Sequence, residues 1–586
     1  MSPDLSDRCR ELRQEARRRA AEALRRLGFA STDGRRWTGE LADASKQRVT
    51  IRVELRPEFP DRLPEFFVEG SLGTAQRAHI GRDGKVCVAP DTGLLLDTER
   101  PEQLVLQSLE RARGILFPVD GADQCRDLEV EFQAYWTEDE PSAVLSLCEP
   151  TSASRPIVLA GLEGVAVQGI LVAPDLAIAR QWADATRKTL KPQRSAYFVR
   201  LESLFPLPRF EERLSLDGLF QLVETHARTG TSQAFRVWLE ETGLPALVLL
   251  SAPLMDASSD VVFGVQVPQL SGQVAKRAQR GFRPGHVPRG IEIALARSLP
   301  VKRIEVTRGD PRFVLVRGGG EPDLLGQRVV VVGCGAVGSH AAASLAASGV
   351  ASLVLIDPEV LEPANIHRHL LGAVDLERNK AEALAERLRE RFPLASIDAV
   401  PRRIEDVLDA TPDAVTSANL VLLALGDETL ELRLNELFGD IVRRVHVWLE
   451  PLGLGGHVLA TGFRGQPGCV ACLYARSPSG LLFNMAGLAE PNQQFQKNLG
   501  GCRGTFTPYG AIDAQRAAIE ATREAMRLLT NPEAGPALTS WVVSPEVFLA
   551  NDLRLSPRGR GIAPGTMLTR QDFPRPDCSS CGSGER

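Results

Sequence analysis

One segment, residues 327–380, constrains the fold of this 586-residue chain more than any other. It opens with a buried-strand run, Arg328–Val332, and passes through the hexapeptide GCGAVG at 333–338 into an alanine-rich helix pattern. A second apolar strand, Ser352–Ile356, follows and ends in Asp357. A strand, a glycine-rich turn, a helix and a second strand form a βαβ unit. The pattern predicts a Rossmann-type parallel sheet that binds a nucleotide.

The glycines of the turn have separate roles in such a unit. The first permits the tight turn, the second lets the backbone come close to phosphate, and the third lets the helix pack on the strand. The helix N-terminus offers N–H groups to an anion, and the acid at the end of the second strand is placed to accept ribose hydroxyls. The predicted nucleotide contacts are therefore Gly333, Gly335, Gly338 and Asp357.

The next residues separate ATP chemistry from hydride transfer. Asn365, Arg368 and Lys380 bring an amide and two cations beside the phosphate loop. A dinucleotide-dependent oxidoreductase carries the same glycines but has no evident need for these cations. An enzyme that directs attack at the α-phosphate of ATP does need them, because charge builds up on the transferring phosphoryl group.

With these residues, the segment resembles the adenylating family that includes ubiquitin-activating enzymes and the ThiF and MoeB proteins. The spacing from Asp357 to Asn365 to Arg368 is similar to the family pattern D-x-D-x-V-x-x-x-N-x-x-R. Glu359 stands for the second acid, leucine replaces valine at 361, and His369 stands where the family usually has glutamine. The resemblance implies an ATP-Mg²⁺ enzyme that forms an acyl-adenylate, and a homodimer through the adenylating domains.

Composition narrows the setting. With 43% hydrophobic residues the chain can bury several cores, so three or four domains are expected. The net charge of −5 argues against nucleic acid as the main partner. The polar N-terminus predicts no signal peptide, and no run approaches the roughly 18 apolar residues of a membrane span. Ten cysteines, four of them in CxxC pairs, fit a reducing cytoplasm better than a disulfide framework.

The first 150 residues show a different pattern. A helix pattern at 7–27 predicts a solvated amphipathic helix packed on the first domain, with a basic docking surface as the alternative. Strand patterns at 48–55 and 65–68 flank a proline-rich crossing. A turn after His79 then delivers a short apolar strand that contains Cys87.

In this order, with a later helix at 101–116, the elements resemble an α+β ubiquitin-conjugating domain over residues 1–150. The resemblance makes Cys87 the thioester cysteine. Conjugating enzymes usually carry His-Pro-Asn before that cysteine, and the asparagine amide supports the oxyanion. Here isoleucine and glycine follow His79, so another donor replaces the amide or the oxyanion site is weaker. The alternative for Cys87 is a buried structural thiol.

Residues 151–322 carry no concentrated set of histidines, cysteines or acids. Strand-like runs at 164–172 and 245–251 alternate with helix-like runs, which predicts a central α/β linker domain. An inactive nucleotide-binding domain is the alternative. A glycine run at 318–320 separates two apolar blocks, so the adenylating domain is expected at 323–586.

An acid follows a further buried-strand pattern at 420–425. An acid at the carboxyl edge of a parallel strand points into the crevice where nucleotides lie, so Asp427 is predicted to hold Mg²⁺. The resemblance adds Arg433 on the next helix. N-capping of that helix is an alternative for Asp427 that is compatible with metal binding.

Two CxxC pairs give the strongest metal pattern in the chain. Two such pairs place four thiolates around one zinc in a closed structural site, with a redox dithiol as the alternative. The predicted ligands are Cys469, Cys472, Cys578 and Cys581.

Cys502 lies between the two pairs and is flanked by glycines. The neighbouring Arg503 favours the nucleophilic thiolate. By its place before a helix pattern at 514–529, Cys502 resembles the catalytic cysteine of activating enzymes; a loop thiol without a role is the alternative. Cys334, inside the phosphate loop, is expected to serve packing.

An activating domain and a conjugating-like domain in one chain predict a relay. The C-terminal carboxylate of a protein would become an acyl-adenylate, pass as a thioester from Cys502 to Cys87, and end as an amide, expected on a lysine of a target protein. The fusion resembles bacterial anti-phage CBASS enzymes, which implies that a cGAS-like nucleotidyltransferase is the activated protein. The rival interpretations are a ThiF/MoeB-like adenylating enzyme for a ubiquitin-like or sulfur-carrier protein, a nicotinamide-dependent oxidoreductase and a non-enzymatic scaffold.

Overall fold

The chain forms two compact units, one of residues 1–176 with 190–308 and the other of residues 177–189 with 309–586. The second unit thus begins before the domain boundary predicted at 322 and includes the helix Pro311–Arg317. No helix in the described part of the chain is long and apolar enough to cross a membrane. The computed structural model describes residues 5–70, 77–90, 93–118, 126–129, 131–136, 144–164, 169–191, 194–205, 213–254, 260–283, 286–478, 480–498 and 505–582.

A four-stranded antiparallel sheet forms the N-terminal part of the first unit. Two helices, Leu5–Arg26 and Pro101–Leu116, contact each other and share a core of leucine, valine, alanine and aromatic side chains with the sheet. Helices and strands lie within two residues of the predicted bounds. The strands follow one another across the sheet in chain order, as Arg36–Ala42, Arg48–Glu54, Glu65–Val68 and Lys85–Val86.

The arginines of the first helix are largely engaged inside this unit. Arg13 pairs with Asp61 at 2.7 Å, and Arg19 pairs with Glu102 at 2.8 Å. Arg18 pairs with glutamates one turn away on either side. This local pairing favours the solvated amphipathic helix over a basic docking surface.

A mixed sheet fills the rest of the first unit. The predicted strand at 164–172 is wrong, because one strand ends at Glu163 and the next begins at Gly169; the strand predicted at 245–251 is confirmed as Ala246–Pro253. Across the sheet the strands run Lys302–Ile304, Asp260–Val267, Ala246–Pro253, Arg194–Arg200, Arg155–Glu163, Gly169–Ala173, Val144–Ser146 and Val306–Arg308. The helices are Phe132–Trp136, Leu216–His226, Thr231–Thr242, Gly272–Ala278 and Arg289–Ala296.

The second unit is built on an eight-stranded sheet whose first five strands are parallel. Apolar side chains are buried on both faces of these strands because helices cover both faces, as continuous valine and leucine runs require. Across the sheet the strands run Ser396–Val400, Ser352–Ile356, Arg328–Val332, Leu420–Leu423, Arg444–Leu449, Gly455–Thr461, Ala537–Val542 and Met567–Arg570. The main helices are Ala336–Ser348, Lys380–Arg391, Ile404–Ala410, Glu428–Phe438 and Ala511–Thr530.

Shorter elements complete the second unit. Two small hairpins pair Tyr474–Arg476 with Leu482–Asn484 and Lys497–Asn498 with Thr505–Phe506. Short helices and 3₁₀ turns lie at Pro322–Leu324, Ala373–Asp375, Asp413–Thr416, Pro451–Gly453, Val470–Leu473, Glu546–Leu549 and Pro557–Gly561.

The strand order places a crevice beside the glycine loop. Arg328–Val332 lies between Ser352–Ile356 and Leu420–Leu423, and all three strands are parallel. The chain leaves the first strand toward one side and returns on the other, so the connections after residues 332 and 423 diverge at one edge. Open α/β sheets bind ligands at such a point.

Candidate nucleotide, metal and cysteine sites

The glycine loop has the geometry that the motif predicts. Gly333 has φ +86°, and a Cβ there would lie 2.6 Å from Ala424 O. A Cβ on Gly338 would lie 1.8 Å from Gly333 O, so only glycine lets the helix approach the strand. Gly335 has no neighbouring atom within 4 Å of a built Cβ, and the helix that it caps has no side-chain cap. The loop therefore leaves open space and uncapped N–H groups where an anion can bind.

Asp357 fastens the loop to the end of the second strand. Its Oδ2 accepts the Cys334 N–H at 2.6 Å, and its Oδ1 accepts the Glu359 N–H at 2.7 Å. Burial raises the pKa of Asp357 above its usual range, against these N–H donors and the charge of Lys380, which lower it. The structure thus gives Asp357 a positioning role that the sequence did not reveal; the ribose contact stays a prediction.

His369 is a second support of the loop. Its Nδ1 accepts the Leu371 N–H at 3.0 Å, so Nε2 carries the hydrogen and donates it to Cys334 O at 2.6 Å. Burial lowers the pKa of His369 to about 4, which keeps the ring neutral near pH 7. Cys334 is fully buried, as expected for a packing residue. The sequence marked His369 only as a departure from the family pattern and did not predict this contact.

The predicted polar residues beside the loop are each held by neighbours. Asn365 Oδ1 accepts the Glu362 N–H at 3.0 Å. The Cζ atom of Arg368 lies 4.5 Å from the centroid of the Tyr509 ring. Lys380 is buried, with 6% of its surface exposed, and pairs with Glu359. These contacts keep an amide and two cations in fixed positions.

Asp427 caps the helix Glu428–Phe438, as its alternative role predicted. Its Oδ1 accepts the Leu430 N–H at 3.0 Å, and the residue is exposed. Its Oδ2 accepts no hydrogen bond from the described part of the chain. One carboxylate oxygen that complements phosphate oxygens suits the way Mg²⁺ binds at nucleotide sites. Arg433, on the same helix, is exposed.

The two CxxC pairs come together although 109 residues separate Cys469 from Cys578. Neighbouring sulfurs are 4.0, 3.7 and 3.3 Å apart, and all four lie within 4.8 Å of one another. Four thiolates about 2.3 Å from a zinc lie about 3.8 Å apart, so the cluster fits a tetrahedral site. The Gly468 N–H donates to Cys581 Sγ at 3.3 Å, which would stabilise a thiolate there.

Cys87 is exposed, so the alternative of a buried structural thiol is wrong. Its N–H donates to His79 O at 2.8 Å. The His79 ring in turn faces two carboxylates, those of Glu131 at 2.7 Å and Asp127 at 3.5 Å. No sequence pattern indicated these two acids, because they lie about 40 residues after the cysteine. Cys502 lies outside the described residues.

Comparison with known proteins agrees with this geometry. Residues 312–541 match the ThiF family, and residues 15–145 match the prokaryotic E2 family B. The chain is a fusion of an E2-like domain and a ThiF domain. The fusion predicted from the sequence is therefore confirmed, and the protein is an enzyme of the activating and conjugating type.

Relatives of this E2–ThiF fusion share most of its length. A protein of Pseudomonas aeruginosa named ATP-dependent ubiquitin transferase-like protein Cap2 is 24% identical, over 80% of each chain. A Cap2 protein of Escherichia coli is 23% identical over 91% of this chain and 88% of its own. The sulfur carrier protein ThiS adenylyltransferase of E. coli is 28% identical over 26% of this chain and 61% of its own.

Proposed function

We propose that this enzyme activates the C-terminal carboxylate of a protein with ATP and joins it to an amine. Activation gives an acyl-adenylate and releases pyrophosphate. Cys502 then displaces AMP to form a thioester, the acyl group moves to Cys87, and an amine, expected to be a lysine side chain of a target protein, takes it as an amide.

One observation carries the proposal. An exposed cysteine lies in an E2-like fold on the same chain as an intact phosphate loop. An enzyme that stops at the adenylate has no use for that cysteine. A relay divides one difficult condensation into steps with good leaving groups, and the covalent tether raises the effective concentration of one cysteine near the other.

The residues of the second unit take distinct parts in activation. The glycine loop and Asp357 would hold the nucleotide, with Asn365 beside them, while Arg368 and Lys380 would offset charge on the reacting phosphate. Asp427 would hold Mg²⁺, which neutralises phosphate charge when it is bound. The four-cysteine cluster would hold a structural Zn²⁺ and leaves no open position for catalysis.

The names of the relatives support the reaction class, and the CBASS resemblance supports a substrate. We assign the activated protein to the cGAS-like nucleotidyltransferases of anti-phage defence, acting in the cytoplasm with a homodimeric enzyme. The alternative is a ThiF/MoeB-like adenylating enzyme for a ubiquitin-like or sulfur-carrier protein, which the ThiS adenylyltransferase similarity favours. The two functions differ in whether Cys87 carries the acyl group.

A non-reducing gel tests the relay. The protein is incubated with ATP-Mg²⁺ and a candidate nucleotidyltransferase, and the unchanged chain is compared with Cys502→Ala and Cys87→Ala. We expect a thiol-sensitive adduct on the unchanged chain that persists in Cys87→Ala and vanishes in Cys502→Ala. ATP consumption without an adduct on either cysteine would favour the adenylating alternative.

A further inference from the structure

One carboxylate, that of Glu131, holds the residue opposite Cys87 at two points. Its Oε1 lies 2.7 Å from His79 Nδ1, and its Oε2 accepts the His79 backbone N–H at 3.1 Å. The Tyr135 hydroxyl also donates to Oε2, at 2.6 Å. Burial first, and then the contact with Glu131, raises the pKa of Tyr135, so the phenol remains a donor.

His79 and Cys87 face each other across a short antiparallel ladder. The bridge from Ile80 to Val86 and the bond from Cys87 N–H to His79 O fix this register. Residues that face each other in this way have Cα atoms about 5.5 Å apart. An imidazole at position 79 therefore lies next to the cysteine that would carry the acyl group.

The backbone of His79 is held in an unusual conformation. Its φ of +62° lies in the left-handed region, which non-glycine residues adopt only where the surroundings impose it. In a regular ladder the His79 N–H would donate to Cys87 O; here it donates to Glu131. The carboxylate thus fixes both the backbone and the ring of His79.

The segment that carries Glu131 is anchored in the mixed sheet of the same unit. Phe132 and Trp136 are 1% exposed and belong to the core of that sheet. Trp136 Nε1 donates to Gly264 O at 2.8 Å, and the Gln133 amide donates to Val306 O at 2.8 Å. The position of the His79 ring is therefore set by a packed core and not by a surface loop alone.

We propose that His79 is the general base for attack of the acceptor amine on the Cys87 thioester, and that Glu131 and Tyr135 are its positioning residues. The inference rests on the proposed function. With Nδ1–H donated to Glu131, Nε2 is the proton acceptor. The amine nitrogen attacks the carbonyl carbon and gives one proton to Nε2, and the C–N bond forms. The C–S bond then breaks, and the proton passes to the Cys87 sulfur, leaving an amide and a thiol.

The surroundings of the ring suit this cycle. The imidazolium that forms transiently lies between the carboxylates of Glu131 and Asp127, which stabilise its charge. General bases of this kind contribute about 10²- to 10⁴-fold to rate.

The test loads Cys87 without ATP. Full-length protein carrying Cys502→Ser is treated with a synthetic peptide thioester of 2-mercaptoethanesulfonate, and intact mass spectrometry follows the adduct that Cys87→Ala lacks. Free lysine is then added, and the loss of that adduct gives the rate of aminolysis. The rate is compared in His79→Ala, His79→Gln, Glu131→Gln and the control Glu129→Gln, with thermal unfolding to check that each variant is folded.

We expect equal loading in all folded variants and aminolysis slowed about 100-fold in both His79 variants, with a smaller loss in Glu131→Gln and none in Glu129→Gln. Added imidazole should restore the rate of His79→Ala, which a merely structural role would not allow. Aminolysis of either His79 variant within twofold of the parent rate, or a loss that imidazole leaves unchanged, overturns the inference.

The outcome for the proposed function is separate. If the parent protein cannot be loaded at Cys87, the conjugating role of that cysteine fails and the general base fails with it. If loading and lysine discharge behave as expected but no ATP-dependent adduct forms with any nucleotidyltransferase, only the proposed substrate and activation are refuted.

Discussion

Two glycines of the phosphate loop should respond in opposite ways to the same substitution. In Gly338→Ala the new Cβ would lie 1.8 Å from Gly333 O, and reaching even 3.0 Å requires a displacement of at least about 1.2 Å between helix and strand. In Gly335→Ala the new Cβ meets no atom within 4 Å, and φ of −73° suits alanine. The first change strains packing; the second fills space that a phosphate would occupy.

The magnitudes follow from this geometry. Overpacking costs about 1–3 kcal/mol, of which better helix propensity returns at most about 1 kcal/mol. A loss of 1 kcal/mol lowers Tm by about 2–4 °C in domains of 150–250 residues, so Gly338→Ala should lower Tm of the second unit by several degrees. Gly335→Ala should change it by no more than about 2 °C. ATP at 100 times its Kd stabilises the unchanged protein by about 2.7 kcal/mol, and both variants should lose that gain.

Thermal unfolding with and without ATP-Mg²⁺, together with ATP–pyrophosphate exchange, measures both effects. Gly326→Ala is the matched control, since a Cβ there also meets no atom within 4 Å and the residue lies outside the loop. It should keep stability, the ATP response and exchange. An ATP-dependent rise in Tm that survives in Gly335→Ala would refute the loop as the phosphate site, and an unchanged Tm in Gly338→Ala would refute the packing argument.

Three further predictions concern the same unit. Elemental analysis should find one zinc per chain, and Cys472→Ser should lower both zinc content and Tm; full stability without bound metal would contradict this. Tyr509→Ala should reduce pyrophosphate exchange several-fold because Arg368 loses its stacking partner, while Tyr509→Phe should retain it; equal activity of the two variants would rule out the contact. His369, whose pKa falls from 6.5 to about 4, binds a proton more readily when unfolded, so stability should drop by about 2 kcal/mol from pH 7 to pH 5. His369→Gln should lose that part of the pH dependence in thermal unfolding, and an unchanged dependence would contradict it.

The parallel sheet was predictable because its signals are local. The runs Arg328–Val332 and Ser352–Ile356 were predicted with their observed bounds, since a continuous apolar strand before a glycine loop leaves little choice. The helix predicted at 514–529 was too short, because its first turn begins at Ala511 behind a glycine cap that propensity does not reveal. Boundaries depend on such caps more than on periodicity.

The contacts that complete the sites were not predictable, because they join distant residues. Glu131 reaches His79 across 52 residues, and Tyr509 meets Arg368 only because separate strands of the sheet place them together. Nothing in the local pattern around either acid or ring indicates a partner. The zinc cluster was predicted despite a similar separation, since two CxxC pairs carry their own chemistry.

Tyr509 links the phosphate site to the segment that follows Cys502. The neighbouring Pro508 carbonyl accepts the Leu452 N–H at 2.8 Å, which fixes the backbone beside the ring. A guanidinium presents its N–H donors in its plane and its face to an aromatic ring, so stacking on Tyr509 leaves the donors of Arg368 available to phosphate oxygens. A bound phosphate therefore reinforces the position of the ring instead of displacing it. Because Cys502 precedes Tyr509 by seven residues, occupancy of the phosphate site and the anchoring of the chain beyond that cysteine are coupled through one side chain.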